Sequence, residues 1–202
     1  MPEPAGDVDA VLRRIADKLT AARKHDRHCT RFGAKRHGYH LQRVLPRGEV
    51  EQFESRTGAR LPEDFRRFVT ELGNGGAGPA YGWPAFNPTA IVYLDERWRQ
   101  PFAGLRTNDA DGDPTGCVEL HEYGCGMFDL LIINGAERGS IWFSNDLAEV
   151  LPVPARDSEL SRGGGPAEWR ERLLDPLNTS RISFADQYEA WLDEVLAVTP
   201  PA

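Results

Sequence analysis

The first part of the chain repeats its apolar positions with a helical period. Residues 8–22 place apolar side chains at every third or fourth position, behind Asp7, a residue type that caps helices well. A shorter helix is predicted between Pro46 and Gly58, because glycine readily takes the left-handed conformation found at helix ends. The apolar face of this second helix consists of Val50, Phe53 and Thr57.

A third helix is predicted over residues 62–72. Pro62 suits the first position because its φ is already fixed and its missing N–H would have no partner there. The glycine-rich run 73–76 ends the helix with residues that tolerate positive φ. Its buried stripe consists of Phe65, Phe68, Val69 and Leu72.

After this glycine-rich run the pattern becomes extended. Four strands are predicted from their apolar and β-branched residues, at 90–94, 117–121, 127–134 and 140–144. The last two are joined by five residues with a glycine at each end, which predicts an antiparallel hairpin. The apolar run 130–133 is continuous rather than alternating, so it indicates a central strand covered on both faces.

The C-terminal part predicts a surface loop and then a closing helix. Residues 155–166 are polar and glycine-rich, whereas Ser183 and Asp186 form a partial capping box. Helices, then a hairpin-containing sheet, then a helix indicate an α+β fold: one central, mainly antiparallel sheet with helices packed against it. One shared core is expected to contain Phe65, Phe68, Leu131, Ile133, Trp142 and Trp191.

Charge is distributed unevenly along the 202 residues, whose formal net charge is −7. Residues 1–60 carry 13 Lys and Arg against 8 Asp and Glu, a balance of +5, whereas residues 61–202 carry 11 against 23, a balance of −12. The basic residues concentrate at 23–47, together with four of the five histidines. This segment is either a patch for a polyanion or a solvated face. We favour the solvated face, because only Phe32 and Tyr39 interrupt the run.

Two apparent metal motifs fail on spacing. Cys117, His121 and Cys125 repeat every four residues, but on a strand the first two would share one face about 13 Å apart. The aspartate-rich run 108–113 resembles a calcium loop, yet the sixth and twelfth positions counted from Asp109 are not the Gly and Glu that an EF-hand needs. No metal is therefore expected.

Catalytic and cofactor motifs are also missing from the sequence. The glycines at 73–78 follow a helix instead of opening one, so they lack the helix N-terminus that binds phosphate. No local signature of a Ser or Cys nucleophile with its base is present. The expectation is a protein that is not an enzyme, with no catalytic residues and no cofactor.

A series of short motifs follows in order over roughly residues 45–196. Their residues are Val50, Phe53, Glu54, Leu61–Phe65, Phe68, Gly73–Gly76, Tyr81, Gly82, Gly124, Gly126, Leu130, Leu131, Gly135, Gly139, Trp142, Phe184 and Trp191. This combination resembles the SUKH superfamily, which includes the Smi/Knr-type cell-wall assembly regulators. The resemblance implies a SUKH-like domain at 45–198 and an N-terminal extension at 1–44, made of a helix and the basic, His-rich segment.

The resemblance implies a non-catalytic binding domain. Bacterial members are often immunity proteins that bind and neutralise partner toxins, whereas fungal members act as regulatory scaffolds. We therefore expect an immunity-type protein, with a housekeeping scaffold and a nucleic-acid-binding protein using residues 23–47 as alternatives. The family's motifs are largely structural and transfer no contact residue to this chain.

The acidic balance of residues 61–202 favours a basic protein partner, such as a toxin domain. Acidic residues cluster in the turn-rich segment 109–122, and two large aromatics follow the glycines at 73–78. The candidate contact residues are Tyr81, Trp83, Asp109, Asp111, Asp113, Glu119 and Glu122. The alternative is that the acids are solvated and the aromatics cover the sheet.

A cytoplasmic location is expected, without a membrane partner. No run approaches the about 20 apolar residues that span a bilayer, and the N-terminal sequence lacks the basic-then-apolar pattern of a signal peptide. The odd number of cysteines favours reduced thiols over a disulfide framework.

Overall fold

The computed structural model describes residues 7–88, 93–104, 114–145, 149–152 and 181–198. The helices are α1 (Val8–His25), α2 (Ala34–His37), α3 (Arg47–Thr57), α4 (Glu63–Arg67) with a π-helical turn (Phe68–Leu72), α5 (Tyr93–Arg99) and α6 (Phe184–Ala197). The strands are β1 (Cys117–Gly124), β2 (Met127–Ile132), β3 (Ile141–Asn145) and β4 (Glu149–Pro152). The α+β class predicted from the sequence is confirmed. Within the described ranges, no helix is both long enough and apolar enough to cross a bilayer.

The sheet is antiparallel, with the strand order β1-β2-β3-β4. The predicted hairpin between β2 and β3 is confirmed, with Leu130 opposite Trp142 and Leu131 opposite Ile141. β2 lies between two neighbours and its residues 129–132 are buried, as expected of a central strand. β4 was not predicted from the sequence.

The two faces of the sheet bury two different sets of side chains. Leu131, Ile133 and Phe143 belong to the main core, under the helices. Trp142 lies on the other face, because successive residues of a strand point to opposite sides. The prediction that Trp142 shares the main core is therefore wrong. The second cluster consists of Phe102, Cys117, Leu130, Ile132, Trp142 and Val150.

Aromatic rings dominate the main core where α4 and its π-helical turn meet α6. The Phe68 ring centroid lies 4.8 Å from that of Tyr188 and 5.0 Å from that of Phe184, and Phe65 is also 5.0 Å from Phe184. All four side chains have no exposed surface. Burying a side chain of this size contributes about 1.5–3 kcal/mol. α1 packs along α6, and its apolar stripe belongs to the same core.

The predicted helix ends are confirmed by their capping geometry. The Asp7 carboxylate accepts a hydrogen bond from the Asp9 N–H at 3.1 Å, and the Ser183 hydroxyl accepts one from the Asp186 N–H at 3.2 Å. Gly58 ends α3 in the left-handed conformation with φ 71°. The predicted third helix extends to Leu72, but its last turn widens into a π-helical turn in which the Gly73 N–H donates to the carbonyl of Phe68.

The predicted strand at 90–94 is wrong where it can be compared. Residues 89–92 lie outside the described residues, and α5 begins at Tyr93. α5 is fixed by tertiary packing, because Trp98 is buried with its ring centroid 4.9 Å from that of Phe53. Apolar runs of this length do not distinguish a strand from a buried helix.

A bulge in β1 changes which face its residues occupy. The pairing with β2 shifts register between Glu119 and Glu122, as expected where an extra residue enters one strand. Cys117 packs in the second cluster, whereas His121 faces α6, with its ring stacked at 6.5 Å on Phe184. The prediction that Cys117 and His121 share one face is therefore wrong.

Candidate binding surface

The basic loop, residues 26–40, is held in shape by one buried carboxylate. Asp26 is 4% exposed and accepts hydrogen bonds from the Thr30 N–H at 2.7 Å and the Tyr39 hydroxyl at 2.6 Å. The Thr30 hydroxyl and the Arg31 N–H donate to it as well. Burial alone would raise the pKa of Asp26, but these hydrogen bonds outweigh it and lower the pKa. The carboxylate therefore stays ionised and fixes both ends of the loop.

The backbone around this loop is strained. Cys29, Tyr39 and Ala80 have φ of 50°, 60° and 48°, in the left-handed region that side-chain-bearing residues rarely adopt. Cys125, in the β1–β2 turn, is the other such non-glycine residue within the described ranges. Backbone strain of this kind concentrates at functional sites, because it persists only where the surrounding structure enforces it.

A second segment, the glycine loop at residues 73–82, packs directly against the basic loop. A Cβ atom on Gly33 would lie 1.9 Å from the carbonyl oxygen of Ala80, so only glycine permits this approach. The glycine loop also extends the edge of β1, since the Tyr81 N–H donates to the Glu122 carbonyl and the Glu122 N–H donates to the Gly82 carbonyl. The sheet therefore supports both loops.

His37 joins the two loops from within. Its Nδ1 accepts a hydrogen bond from the Tyr39 N–H at 3.0 Å, and its ring is also engaged by the backbone of Gly78 and Ala80. Burial lowers the pKa of His37, against the opposing effect of these backbone hydrogen bonds. Because a neutral ring can accept the Tyr39 N–H and a protonated ring cannot, the observed geometry belongs to neutral His37.

Together the two loops display an aromatic pair on the surface. The Phe32 and Tyr81 ring centroids are 4.9 Å apart, yet Phe32 remains 68% exposed. An open depression of about 680 Å³ adjoins the pair. Its lining consists of His28, Cys29, Thr30, Arg31, Phe32, Gly33, Lys35, Arg36 and Tyr81. We call Phe32, Tyr81, Arg31, Lys35 and Arg36 the aromatic-cationic surface.

Arg36 connects this depression with a neighbouring one of about 360 Å³. Its guanidinium carbon lies 5.7 Å from the centroid of the Tyr81 ring, within range of a cation–π interaction. Its Nη1 donates to the Glu122 carboxylate at 3.0 Å, in a pair whose side chains are 60% and 34% exposed. Arg31 is held differently, because its Nη2 donates to the carbonyls of Glu194 and Val195 at the C-terminal end of α6.

The structure brings only some of the sequence-predicted contact residues together. Tyr81 and Glu122 meet at the aromatic-cationic surface. Trp83 is 4% exposed and its indole N–H donates to the Ala77 carbonyl, so it forms part of the core. Glu119 is exposed but borders a separate depression of about 230 Å³, beside Trp98. Three further candidates lie outside the described residues: Asp109, Asp111 and Asp113.

Sequence reasoning missed Phe32 and Arg36 as site residues. The available signal was that Phe32, a large aromatic, lies within a polar, basic run and has no other large apolar residue within four positions on either side. The contact with Tyr81 could not be found in this way, because it depends on how two loops separated along the chain approach each other.

A second polar cluster lies inside the molecule. The Asp129 carboxylate accepts hydrogen bonds from Tyr123 at 2.8 Å and from Gln187 at 2.9 Å, and it lies 3.0 Å from Nδ1 of His121. His121 and Asp129 have no exposed surface. Burial, reinforced by Asp129, raises the pKa of Tyr123. This cluster links the sheet to α6, and its acid and imidazole are closed to a substrate from solvent.

Candidate metal ligands do not converge in the part of the chain that the structure describes. No group of three or more His, Cys, Asp or Glu side chains is placed there to hold an ion. Cys29, Cys117 and Cys125 are all among the described residues, and none of them forms a disulfide.

Comparison of the chain with protein-family models, with curated proteins and with solved structures found no match.

Proposed function

We propose that this chain is a non-catalytic protein-binding domain of the immunity type, which binds and neutralises a partner toxin through its aromatic-cationic surface. The observation that carries the proposal is the exposed Phe32, whose ring contacts that of Tyr81 at a tilt of 56° where the basic loop and the glycine loop meet. Tryptophan, tyrosine and arginine are the residue types that most often dominate binding energy at protein interfaces, and Tyr81, Arg31 and Arg36 lie beside Phe32. The resemblance of the sequence to the SUKH superfamily supports the immunity role.

Preorganisation supports binding as the task of these loops. Asp26 fixes the fold of the basic loop, and the close approach of Gly33 to Ala80 locks it onto the glycine loop. A surface that is already ordered loses little conformational entropy when a partner binds. The strained residues around it are then explained as part of a binding site.

The proposal is tested by affinity capture from the source cells with the immobilised chain, in its wild-type and Phe32→Ala forms. We expect a protein that the wild type retains and the variant loses, since removing an interface anchor typically weakens binding by about 2 kcal/mol or more, roughly 30-fold. Val44→Ala is the matched control, because Val44 is an exposed apolar residue that lines neither depression.

The captured protein is then expressed alone and together with the chain. An immunity role requires that it stops growth when alone and is harmless when coexpressed. A captured protein that is harmless alone supports the regulatory-scaffold alternative instead. If Phe32→Ala captures the same proteins as the wild type, the aromatic-cationic surface is not the binding site.

Nucleic-acid binding is a second candidate, supported by the juxtaposition of Phe32 and Tyr81 with Lys35 and Arg36. Aromatic rings beside cations are the elements with which proteins bind single strands. Titration with an oligonucleotide at several salt concentrations separates this candidate, because phosphate contacts weaken steeply as salt increases.

A further inference from the structure

We infer that the partner presents an acidic segment to the aromatic-cationic surface, and that one of its carboxylates competes with Glu122 for Arg36. This inference rests on the proposed function and specifies the chemistry of its partner. It reverses the charge sign expected from the sequence, which favoured a basic partner for the acidic residues of the chain.

The side chains that line the larger depression are positively charged or neutral. Its side chains include Arg31, Lys35 and Arg36, and none of the described lining residues is an Asp or Glu. Asp26, the nearest carboxylate along the basic loop, is buried and committed to its own hydrogen bonds. The potential of the depression is therefore positive, and complementary charge on a partner speeds association and disfavours wrong partners.

Phe32 adds an apolar requirement. Its ring rests on Tyr81 but remains mostly exposed, so a partner that covers it with an apolar side chain removes this surface from water. The favoured ligand is an acidic segment that also contains an apolar or aromatic residue.

The Arg36–Glu122 ion pair is weak enough for a partner carboxylate to replace Glu122. Glu122 engages only Nη1 of Arg36, whereas a guanidinium has five donors in a planar fork. An exposed pair of this kind contributes only about 0–1 kcal/mol, so exchanging one carboxylate for another has a small cost. A partner carboxylate that pairs with Arg36 also keeps the guanidinium from being buried without a counter-charge.

The same features argue against a nucleic acid as the natural ligand. Of the three cations that line the larger depression, Arg31 is already bound to the carbonyls at the end of α6. Nucleic-acid affinity comes from many phosphate contacts, and this surface offers few cations for them.

The test uses the full chain and three probes: a glutamate-rich peptide with a central phenylalanine, the same peptide with lysine replacing glutamate, and a short oligothymidylate. Binding is followed by NMR shifts of backbone amides and by fluorescence titration. We expect the glutamate peptide to shift amides within residues 29–37 and 79–82. The lysine peptide and the oligothymidylate are expected to bind more weakly than the glutamate peptide.

Charge-neutral variants decide the role of the ion pair. Arg36→Gln should weaken binding of the glutamate peptide about two- to fivefold, the size of one exposed ion pair, whereas Glu122→Gln should strengthen it by a similar factor. The matched controls are Arg66→Gln and Glu63→Gln, which change net charge equally at an exposed pair elsewhere on the surface.

Several outcomes would overturn the inference. These are no amide shifts at the surface with the glutamate peptide, tighter binding of the lysine peptide or the oligothymidylate, or weaker glutamate-peptide binding by Glu122→Gln than by Glu63→Gln. None of these results decides whether the chain captures a toxin, which the affinity capture with Phe32→Ala measures separately. The two failures are therefore distinguishable.

Discussion

The main core and the basic loop are both ordered, but different forces hold them. In the core, Phe65, Phe68 and Phe184 interlock by burying apolar surface, which is non-directional and follows the helical and strand periods of the sequence. In the basic loop, order depends on the Asp26 carboxylate, the neutral His37 ring and several positive-φ residues. Apolar packing in the core does not depend on the protonation of a side chain, whereas the loop depends on protonation and on individual hydrogen bonds.

This difference matches the division of labour that we propose. Apolar packing supplies the stability of the domain and leaves few groups to contact a partner. The basic loop buries Ala34 and Tyr39 in the main core, but it places Phe32, Lys35 and Arg36 on the surface. Binding surfaces are commonly carried by loops that a rigid scaffold positions.

The largest effect is expected from a cavity in the core. Phe68→Ala should reduce the free energy of unfolding by about 3–5 kcal/mol, because the ring is fully buried and contacts three other aromatic rings. Urea denaturation followed by tryptophan fluorescence measures this change. A loss below about 1 kcal/mol would contradict the view that this cluster carries most of the stability.

A smaller effect is expected from removing the charge that organises the basic loop. Asp26→Asn should cost about 1–3 kcal/mol, because the buried Tyr39 hydroxyl and the two donors of Thr30 lose a carboxylate acceptor. The measurement is again urea denaturation. Asp17→Asn, at an exposed position of α1, is the control and should change stability little. Equal stability of the two variants would show that the loop needs no buried charge.

The pH dependence of the two regions should also differ. The pKa of His37 is lowered by burial, so the unfolded loop binds a proton more readily than the folded loop. Its contribution to stability is complete above the ordinary value of 6.5 and decreases as the pH falls from there toward the lowered pKa. The stability of the core should not decrease over this pH range as a result of His37 protonation.

Amide hydrogen exchange at about pH 7.5 and about pH 5.5 measures this difference. After correction for the intrinsic exchange rates, protection of the Tyr39 amide, which donates to His37, should decrease at the lower pH, while that of Leu131 should not. His37→Gln should abolish the change, and His28→Gln, at an exposed position, should preserve it. If amide protection in the wild-type loop does not change with pH, the neutral His37 ring is not what holds the two loops together.

The smallest effect on stability is expected at the proposed anchor itself. Phe32→Ala should change the free energy of unfolding by no more than about 0.5 kcal/mol, because the side chain is mostly exposed. Thermal unfolding of the variant and of Val44→Ala tests this. A large destabilisation would show that Phe32 is needed for the packing of the loops. Phe32→Ala could then not separate a loss of binding from a loss of folding in the capture experiment.

Local rules in the sequence were sufficient for α1, α3, α4, α6 and one hairpin. Asp7, Gly58 and Ser183 mark helix ends whose geometry is as predicted, because capping depends only on nearby residues. The hairpin between β2 and β3 was equally predictable from its glycine-bounded turn.

The errors arose where distant parts of the chain compete with local preference. Tyr93 belongs to a helix because Trp98 packs on Phe53, and His121 faces α6 because a bulge shifts the register of β1. Trp142 lies beneath the sheet rather than in the main core. The local sequence pattern around these residues predicts neither the register shift nor the face of the sheet on which a side chain lies.

By itself, the sequence determined the helices α1, α3, α4 and α6, the β2–β3 hairpin, the α+β class and the apolar stripes of the core, since periodicity and capping act over a few neighbouring residues. The candidate surface was decided by tertiary structure alone. Gly33 must meet Ala80, and Phe32 must meet Tyr81, across nearly fifty positions of chain. These contacts exist because the sheet edge at Glu122 positions the glycine loop and the Asp26 carboxylate shapes the basic loop, and neither effect has a periodic signature.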